Sequence, residues 1–208
     1  MLETLGRKFA RLATNIVVRR PWLWRLFRGP MRRQFDVLAP RWDAMRSPDH
    51  LASFEAALAA VELPPRKALD LGTGTGAGAL AIARRFPDAE VVGVDVSSAM
   101  VAQARRKVPP ELASRVRFEV GDASRLPFAD GAFDFVALAN MIPFFDEIAR
   151  VLGPAGVVVF AFSGGACTPI YVPSERLRRE LEPRGFAEFA EFEAGAGTAF
   201  LARRVNGR

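Results

Sequence analysis

Three glycines at alternate positions, Gly72, Gly74 and Gly76, separate an apolar run from a helical pattern in the stretch ALDLGTGTGAGALAIARRFP. Glycine adopts positive φ without strain and has no Cβ, so a ligand can lie against the backbone where the helix begins. The Gly-Lys-Ser/Thr signature is absent, which excludes a P-loop. The segment also fits the dinucleotide pattern G-x-G-x-x-A, and a tight turn without any ligand needs glycines too. The loop alone therefore leaves a dinucleotide, another nucleotide-like cofactor and no ligand open.

Three aspartates, Asp70, Asp95 and Asp122, stand at the ends of three predicted strands. The carboxyl ends of parallel strands are where open α/β sheets bind ligands. A carboxylate at Asp70 would repel a pyrophosphate and attract a cation. Asp95 lies 23 residues after Gly72, about where NAD enzymes keep their ribose-binding acid, and Asp122 can accept hydrogen bonds from an exocyclic amine. As a set, the carboxylates favour a positively charged nucleoside over an anionic dinucleotide.

The elements that position these residues are predicted from alternating apolar runs and helical patterns after residue 66. The runs are almost wholly apolar, as in parallel strands covered on both faces. The pattern predicts strands over 67–72, 90–96, 115–122, 133–140 and 157–164, and helices over 78–86, 98–108, 144–156 and 173–185. The helix over 144–156 is predicted to end at Gly153-Pro154. Residues 186–195 and 198–205 predict a closing antiparallel hairpin.

The segment before the first strand is basic and helical in pattern, with breaks predicted at Pro21, Pro30, Pro40 and Pro48. Residues 1–46 hold 11 basic and three acidic side chains, a net charge of +8, whereas the remaining 162 residues carry −2. Four interpretations of this segment stay open. They are a packing helix with a solvated basic face, a helix at a membrane surface, a cleaved transit peptide and non-specific contact with nucleic acid.

The composition narrows the chemistry further, because the chain has one cysteine, Cys167, and one histidine, His50. These counts exclude an intrachain disulfide and a thiolate metal cluster, and they leave little for a zinc site or a Ser-His-Asp triad. We therefore expect no metal. No run approaches the ~20 apolar residues of a membrane-spanning helix, and the N-terminus lacks the apolar core of a secretory signal. These features predict a cytoplasmic protein with at most a peripheral contact to a membrane.

The motifs DLGTGTG, VVGVDVSSAM, VGDASRLPFADGAFDFV and DEIARVLGPAGVVVFAF occur in an order that resembles class I S-adenosylmethionine-dependent methyltransferases over residues 66–165. The resemblance implies an α/β, Rossmann-like sheet of seven strands with the last strand antiparallel and helices on both faces. It also implies S-adenosylmethionine as the cofactor of a domain spanning 66–208. By analogy, Asp70 and the glycines face the methionine part, Asp95 holds the ribose, and Asp122 with Ala123 borders the adenine. The full set expected to contact the cofactor is Trp42, Asp70, Gly72, Thr73, Gly74, Gly76, Asp95, Val96, Met100, Asp122, Ala123 and Asn140.

The segment QFDVLAPRWDAM, residues 34–45, resembles the F-x-x-x-A-x-x-Y-D-x-M segment that precedes the sheet in ubiquinone/menaquinone C-methyltransferases. Phe35, Ala39, Asp43 and Met45 match this pattern, and Trp42 stands where a tyrosine is usual. The resemblance implies that residues 1–65 form a basic helical extension and a lid over the cofactor, with Trp42 close to it.

The acceptor is expected beyond the fourth and fifth strands, near Asn140, Met141, Phe144 and Phe145 and near residues 163–165. This largely apolar set favours a small hydrophobic or aromatic acceptor, although the phenylalanines could equally pack the next helix. The segment ANMIPF lacks the Asn-Pro-Pro-Tyr pattern of base-amide and glutamine methylation, and a single cysteine disfavours arsenic methylation.

No general base is evident from the sequence, so the catalytic residues stay unassigned. Methyl transfer from a sulfonium needs a base only where the nucleophile must lose a proton. His50, Tyr171 and Asp146 each have an ordinary structural interpretation. We therefore expect a small-molecule methyltransferase of the quinone-like C- or O-methylating type. The alternatives are a non-catalytic binding protein that keeps this fold and, third, an NAD(P)-dependent oxidoreductase.

Overall fold

The computed structural model describes residues 2–205, with side chains from Gly6 onward, and its centre is one seven-stranded sheet. The strand order is β3-β2-β1-β4-β5-β7-β6, with β1 to β5 parallel and β7 antiparallel to both of its neighbours. This topology confirms the predicted fold class. The strands are β1 (Lys67–Leu71), β2 (Glu90–Asp95), β3 (Val116–Val120), β4 (Phe133–Ala139), β5 (Leu152–Phe162), β6 (Phe186–Ala194) and β7 (Gly197–Arg204).

Helices cover both faces of the sheet because alternate side chains of each central strand enter different apolar clusters. Leu69 packs in one cluster with residues of the N-terminal helices, whereas its neighbour Ala68 packs in the other. The helices are α1 (Leu2–Val17), α2 (Trp24–Leu38), α3 (Ala52–Ala59), α4 (Ala77–Arg85), α5 (Ser98–Arg106), α6 (Phe145–Val151) and α7 (Ser174–Leu181). The core on the first face thus includes α1 and α2, while the predicted domain boundary between residues 65 and 66 stays a prediction.

Two sequence predictions of helix ends were wrong. The helix predicted over 144–156 ends at Val151, because Leu152 is fully buried and pairs with Phe133 as the first residue of β5. The break predicted at Pro30 is absent, since α2 continues through it. Pro30 is exposed, so the Leu26 carbonyl that loses its helical hydrogen bond can be solvated by water.

The segment between α2 and α3 carries the predicted lid motif as two short 3-10 turns, Ala39–Arg41 and Asp43–Met45. Both turns lie on the side of the sheet edge where β1, β2 and β4 end, as the contacts below show. Within residues 2–205, no helix is both long enough and apolar enough to cross a membrane.

Candidate functional site

The glycine loop leaves β1 in left-handed backbone conformations that favour glycine. Gly72, Gly74 and Gly76 have φ of +66°, +54° and +88°. A Cβ on Gly76 would lie 2.8 Å from the Phe118 ring, so this glycine allows α4 to begin against β3. A Cβ on Gly74 would instead meet only the Trp42 indole nitrogen at 3.5 Å and its own loop at 4.0 Å. The loop therefore serves packing at Gly76 and leaves open space at Gly74.

That space is a cavity, partly open to solvent, at the carboxyl ends of β1, β2 and β4. Ten of the twelve residues predicted to contact a cofactor line it, and the two that do not are Gly76 and Asp122. The ten are Trp42, Asp70, Gly72, Thr73, Gly74, Asp95, Val96, Met100, Ala123 and Asn140. The sheet edge thus gathers these residues around one cavity, whereas their contacts with a cofactor stay predictions.

One carboxylate oxygen of Asp70 accepts a side-chain hydrogen bond and the other does not. Its side chain is buried, and Oδ2 accepts a hydrogen bond of 2.6 Å from the Thr73 hydroxyl. Oδ1 is buried and has no hydrogen-bond partner in the described part of the chain. Burial raises the pKa of Asp70 to about 6, partly offset by the hydrogen bond from Thr73. An unpaired acceptor at this depth is costly, and a cationic donor entering the cavity would satisfy it.

Asp95 is fixed at the end of β2 by backbone donors on both sides. Oδ2 accepts from the Gly74 N–H and Oδ1 from the Ser97 N–H, each at 2.9 Å. Burial raises the pKa of this carboxyl, and the backbone hydrogen bonds oppose the shift. Each carboxylate oxygen has a second lone pair, so the group can still accept from two adjacent hydroxyls.

The lid is fastened to the glycine loop and to α5 by two aspartates. Asp43 Oδ1 accepts a 2.6 Å hydrogen bond from Thr75, and Oδ2 forms an ion pair with Lys107. Asp36 at the end of α2 accepts a 2.6 Å hydrogen bond from the Ser97 hydroxyl. Burial acts to raise the pKa of Asp43, but the hydrogen bonds from Lys107 and Thr75 outweigh it and lower the pKa. The lid motif matched in the sequence therefore fixes the lid against the loop.

Arg46 lines the cavity and was missed by the sequence reasoning. Its guanidinium carbon lies 5.6 Å from the Trp42 ring centre, and no carboxylate among residues 6–205 lies within ion-pair distance of it. The Trp42 indole N–H is also buried without a partner in the described residues. Burial lowers the pKa of Arg46, while the charges of Asp43 and Asp70 act to raise it. Only its position directly after the lid motif could have drawn attention to it.

Asp122 faces α2 instead of the cavity. Oδ1 accepts 2.9 Å hydrogen bonds from the Trp24 indole and the Ser124 N–H, and Oδ2 pairs with Arg28 at 2.9 Å. Burial acts to raise the pKa of this carboxyl, and the hydrogen bonds from Ser124, Arg28 and Trp24 lower it. A contact between Asp122 and an adenine stays a prediction, and it would require the carboxylate to leave Trp24. Its neighbour Ala123 does line the cavity.

The far wall of the cavity, where the acceptor was predicted, is apolar. Met141 and Phe144 line it, whereas Phe145 packs on Phe160 with ring centres 6.2 Å apart. Asn140 lies at the rim in a left-handed conformation, and its Oδ1 accepts from the Ser163 N–H at 2.9 Å. The other apolar residues of the lining include Trp24, Met31, Phe35, Leu51, Val94, Ala139, Ile142 and Ile170.

None of the bases considered from the sequence lines the cavity. His50 is turned to the Ser47 carbonyl at 2.7 Å, Tyr171 packs edge-on to Phe162, and Asp146 pairs with Arg184. The titratable residues of the lining are Asp70, Asp95 and Arg46. Neither aspartate lies on the apolar wall, so the cavity is suited to position reactants and to exclude water.

Comparison with known proteins bears on the identity of the fold and the site. Residues 68–156 match the family model described as a methyltransferase domain. A demethylmenaquinone methyltransferase of Thermus thermophilus is 42% identical over 140 residues, which cover 60% of this chain and 62% of that protein. A malonyl-[acyl-carrier protein] O-methyltransferase of Halorhodospira halophila is 34% identical over 143 residues, covering 64% and 48%. The crystal structure of a SAM-dependent methyltransferase from Aquifex aeolicus has a TM-score of 0.67 at 20% identity, covering 80% of this chain and 98% of that chain.

These matches confirm the resemblance to S-adenosylmethionine-dependent methyltransferases that the motifs indicated. At 20% identity the structural neighbour supports the fold alone. The chain spans less than two-thirds of the length of the two curated relatives, at 62% and 48%. The acceptors that appear in the names of these relatives therefore apply to those proteins and are not transferred to this chain.

Proposed function

We propose that this chain is an S-adenosylmethionine-dependent methyltransferase that acts on a small hydrophobic or aromatic acceptor of the quinone-like type. The observation that carries the proposal is the unpaired Asp70 Oδ1, buried beside the left-handed glycine loop in a cavity with one apolar wall. A sulfonium amino acid offers a cationic ammonium to such an oxygen, whereas a pyrophosphate would be repelled by it. The methyltransferase domain match over 68–156 contains both the loop and Asp70.

The cavity residues fit this cofactor from end to end. Asp70 Oδ1 and the buried Trp42 N–H have no hydrogen-bond partner among the described residues, and they flank the loop where the methionine part is expected. Arg46 supplies the one positive charge in the lining and can pair with the methionine carboxylate. Asp95 can accept the ribose hydroxyls, and Met100 can pack on a flat ring. The bound cofactor would supply the methyl group on a leaving sulfonium, and the protein would align the acceptor.

The acceptor proposed here is one that needs no base from the protein. The apolar wall carries no titratable side chain, so the acceptor must arrive ionised or release its proton to water. A phenol or reduced quinone meets this condition at mildly alkaline pH. A malonyl thioester would bring a carboxylate, and the one cation of the lining, Arg46, lies on the Asp70 side of the cavity. The lining thus favours the quinone-like acceptor over the acidic one.

Isothermal titration with S-adenosylhomocysteine and, in parallel, with NADH tests the proposal. We expect micromolar binding of the former that Asp95→Ala abolishes and the exposed-site control Asp88→Ala leaves intact. Transfer of a labelled methyl group to phenolic and quinol acceptors would then establish the activity. Binding without transfer to any acceptor would instead indicate a non-catalytic protein, and binding of NADH alone would indicate an oxidoreductase.

A further inference from the structure

The helix α2 has two unlike faces. Its inner face packs Trp24 and Met31 into the core, and both residues also line the cavity. Its outer face and the turn before it expose Trp22, Leu26 and Val37, which are 59%, 61% and 78% exposed. The spacing of eleven residues places Leu26 and Val37 on one side of α2, and Trp22 lies in the 3-10 turn Pro21–Leu23 that precedes the helix. Exposed large apolar side chains that lie together on a surface mark a site of contact with a protein or a membrane.

The outer face of α2 is also basic between Arg25 and Arg33. Arg25, Arg32 and Arg33 are exposed, and Arg25 lies over the Trp22 ring at 5.2 Å. The one acidic residue of α2, Asp36, is turned to the Ser97 hydroxyl. Arg25 and Arg32 further line a groove beside β3. Exposed tryptophan and leucine among arginines match the boundary between anionic headgroups and acyl chains.

We infer that the outer face of α2 docks on an anionic lipid surface, with Trp22 and Leu26 entering the headgroup boundary and Arg25 and Arg32 pairing with phosphates. The sequence predicted a peripheral membrane contact through the basic N-terminal helix, and the present inference assigns the contact to α2. In α1, Arg7 and Arg11 are occupied as donors to the carbonyls of Cys167 and Ala166.

The role of this docking rests on the proposed function, because it would bring the enzyme to a membrane that holds its hydrophobic acceptor. The same helix turns Trp24 and Met31 into the cavity and Trp22 and Leu26 to the outside. A lipid surface on the outer face therefore lies one helix diameter, about 10 Å, from the acceptor wall. A hydrophobic acceptor could pass from the membrane to the cavity without crossing bulk water. The binding itself does not depend on any catalytic activity.

Sedimentation of the full chain with vesicles of phosphatidylcholine, with and without phosphatidylglycerol, tests the inference. We expect binding only to the anionic vesicles, weakening as salt is raised. The double variant Trp22→Ala/Leu26→Ala should lose more than about tenfold in partition coefficient, and each of Arg25→Gln and Arg32→Gln about fivefold. Two exposed residues elsewhere provide matched controls, Leu63→Ala and Arg179→Gln, which should bind like the unchanged chain.

The titration with S-adenosylhomocysteine separates this inference from the proposed function. All these variants should keep the affinity of the unchanged chain, because none of the substituted residues lines the cavity. No vesicle binding by the unchanged chain, or equal binding by Trp22→Ala/Leu26→Ala, would overturn the inference even where the nucleoside binds. Displacement from vesicles by inorganic phosphate at constant ionic strength would also overturn it, since the arginines would then form a small-anion site. Retention on an acidic carrier protein, without binding to vesicles, would assign the face to a protein partner instead.

Discussion

Asp43 of the lid accepts a 2.6 Å hydrogen bond from Thr75 of the glycine loop, 32 residues away in the chain. This bond joins the segment that closes the cavity to the loop that forms its floor. The ion pair of Asp43 with Lys107 is half exposed, and such pairs contribute little. The Thr75 contact is therefore the more important fastening of the lid.

The first prediction concerns this fastening. Asp43→Ala and Thr75→Val should each weaken S-adenosylhomocysteine binding, because the lid opens more often. A double-mutant cycle on the titrated affinities should give a coupling of about 0.5–1.5 kcal/mol, the range of a hydrogen bond. Lys107→Gln serves as the control and should change the affinity less than either. Additive losses for Asp43 and Thr75 would contradict the fastening role.

Asp70 gives a prediction in which stability and binding move in opposite directions. Its pKa in the folded chain is raised to about 6 from 3.8, so the ionised carboxylate costs stability above the unfolded pKa. The stability of the ligand-free protein should therefore rise as pH falls from about 7 toward 4. Asp70→Asn should raise the thermal midpoint at neutral pH, lose that advantage near pH 4, and abolish nucleoside binding. Thermal scans across this pH range check it, and a lower midpoint for Asp70→Asn at neutral pH would contradict it.

The role of Arg46 can be tested by comparing two ligands, one with and one without the amino-acid part. S-adenosylhomocysteine has an amino-acid part, and 5′-methylthioadenosine keeps the nucleoside but lacks that part. Arg46→Met should lower affinity for the former about tenfold, the loss of one charged hydrogen bond at 1.4 kcal/mol, and leave the latter unchanged. Arg46→Lys should retain part of the affinity for S-adenosylhomocysteine that Arg46→Met loses. Equal losses for both ligands would show that Arg46 only supports the lid.

The sheet and its ligand-binding edge were predictable because local patterns specify them. Strands such as 91–94 and 157–159 are valine-rich runs, and glycines and prolines mark most of the turns between elements. Carboxyl-end residues of parallel strands meet in space, so the order of strands along the chain is enough to place Asp70 and Asp95 together. The grouping of these residues around one cavity followed from this rule alone.

Other features depend on partners far away in the chain, which no local pattern reveals. Leu152 continues a helical pattern and becomes a strand residue only because Phe133 pairs with it. Asp122 lies at the expected strand end, but Trp24, 98 residues earlier, donates to it. Pro30 does not break α2, and it lies at an exposed position where water can solvate the freed Leu26 carbonyl, which the proline alone does not reveal.

Asp122 gives the last prediction, which separates its contact with α2 from a contact with the cofactor. The hydrogen bond from Trp24 and the pair with Arg28 fix α2 to the end of β3. Asp122→Asn should therefore lower the thermal midpoint by a few degrees, about 2–4 °C per kcal/mol for a chain of this size. The amide Oδ1 of Asp122→Asn can still accept from Trp24, so Trp24→Phe in the same background should lower the midpoint further.

If Asp122 contacts the adenine, as the sequence predicts, the same variant should also lose affinity for the cofactor product. Titration of Asp122→Asn with S-adenosylhomocysteine would then show an affinity at least about tenfold weaker, the effect of one charged hydrogen bond. An unchanged affinity with a lowered midpoint would contradict the adenine contact and leave Asp122 as a residue that holds α2. An unchanged midpoint with lost affinity would mean that the carboxylate leaves Trp24 when the nucleoside binds. Ser124→Ala is the control, because it removes a donor to Asp122 without touching α2.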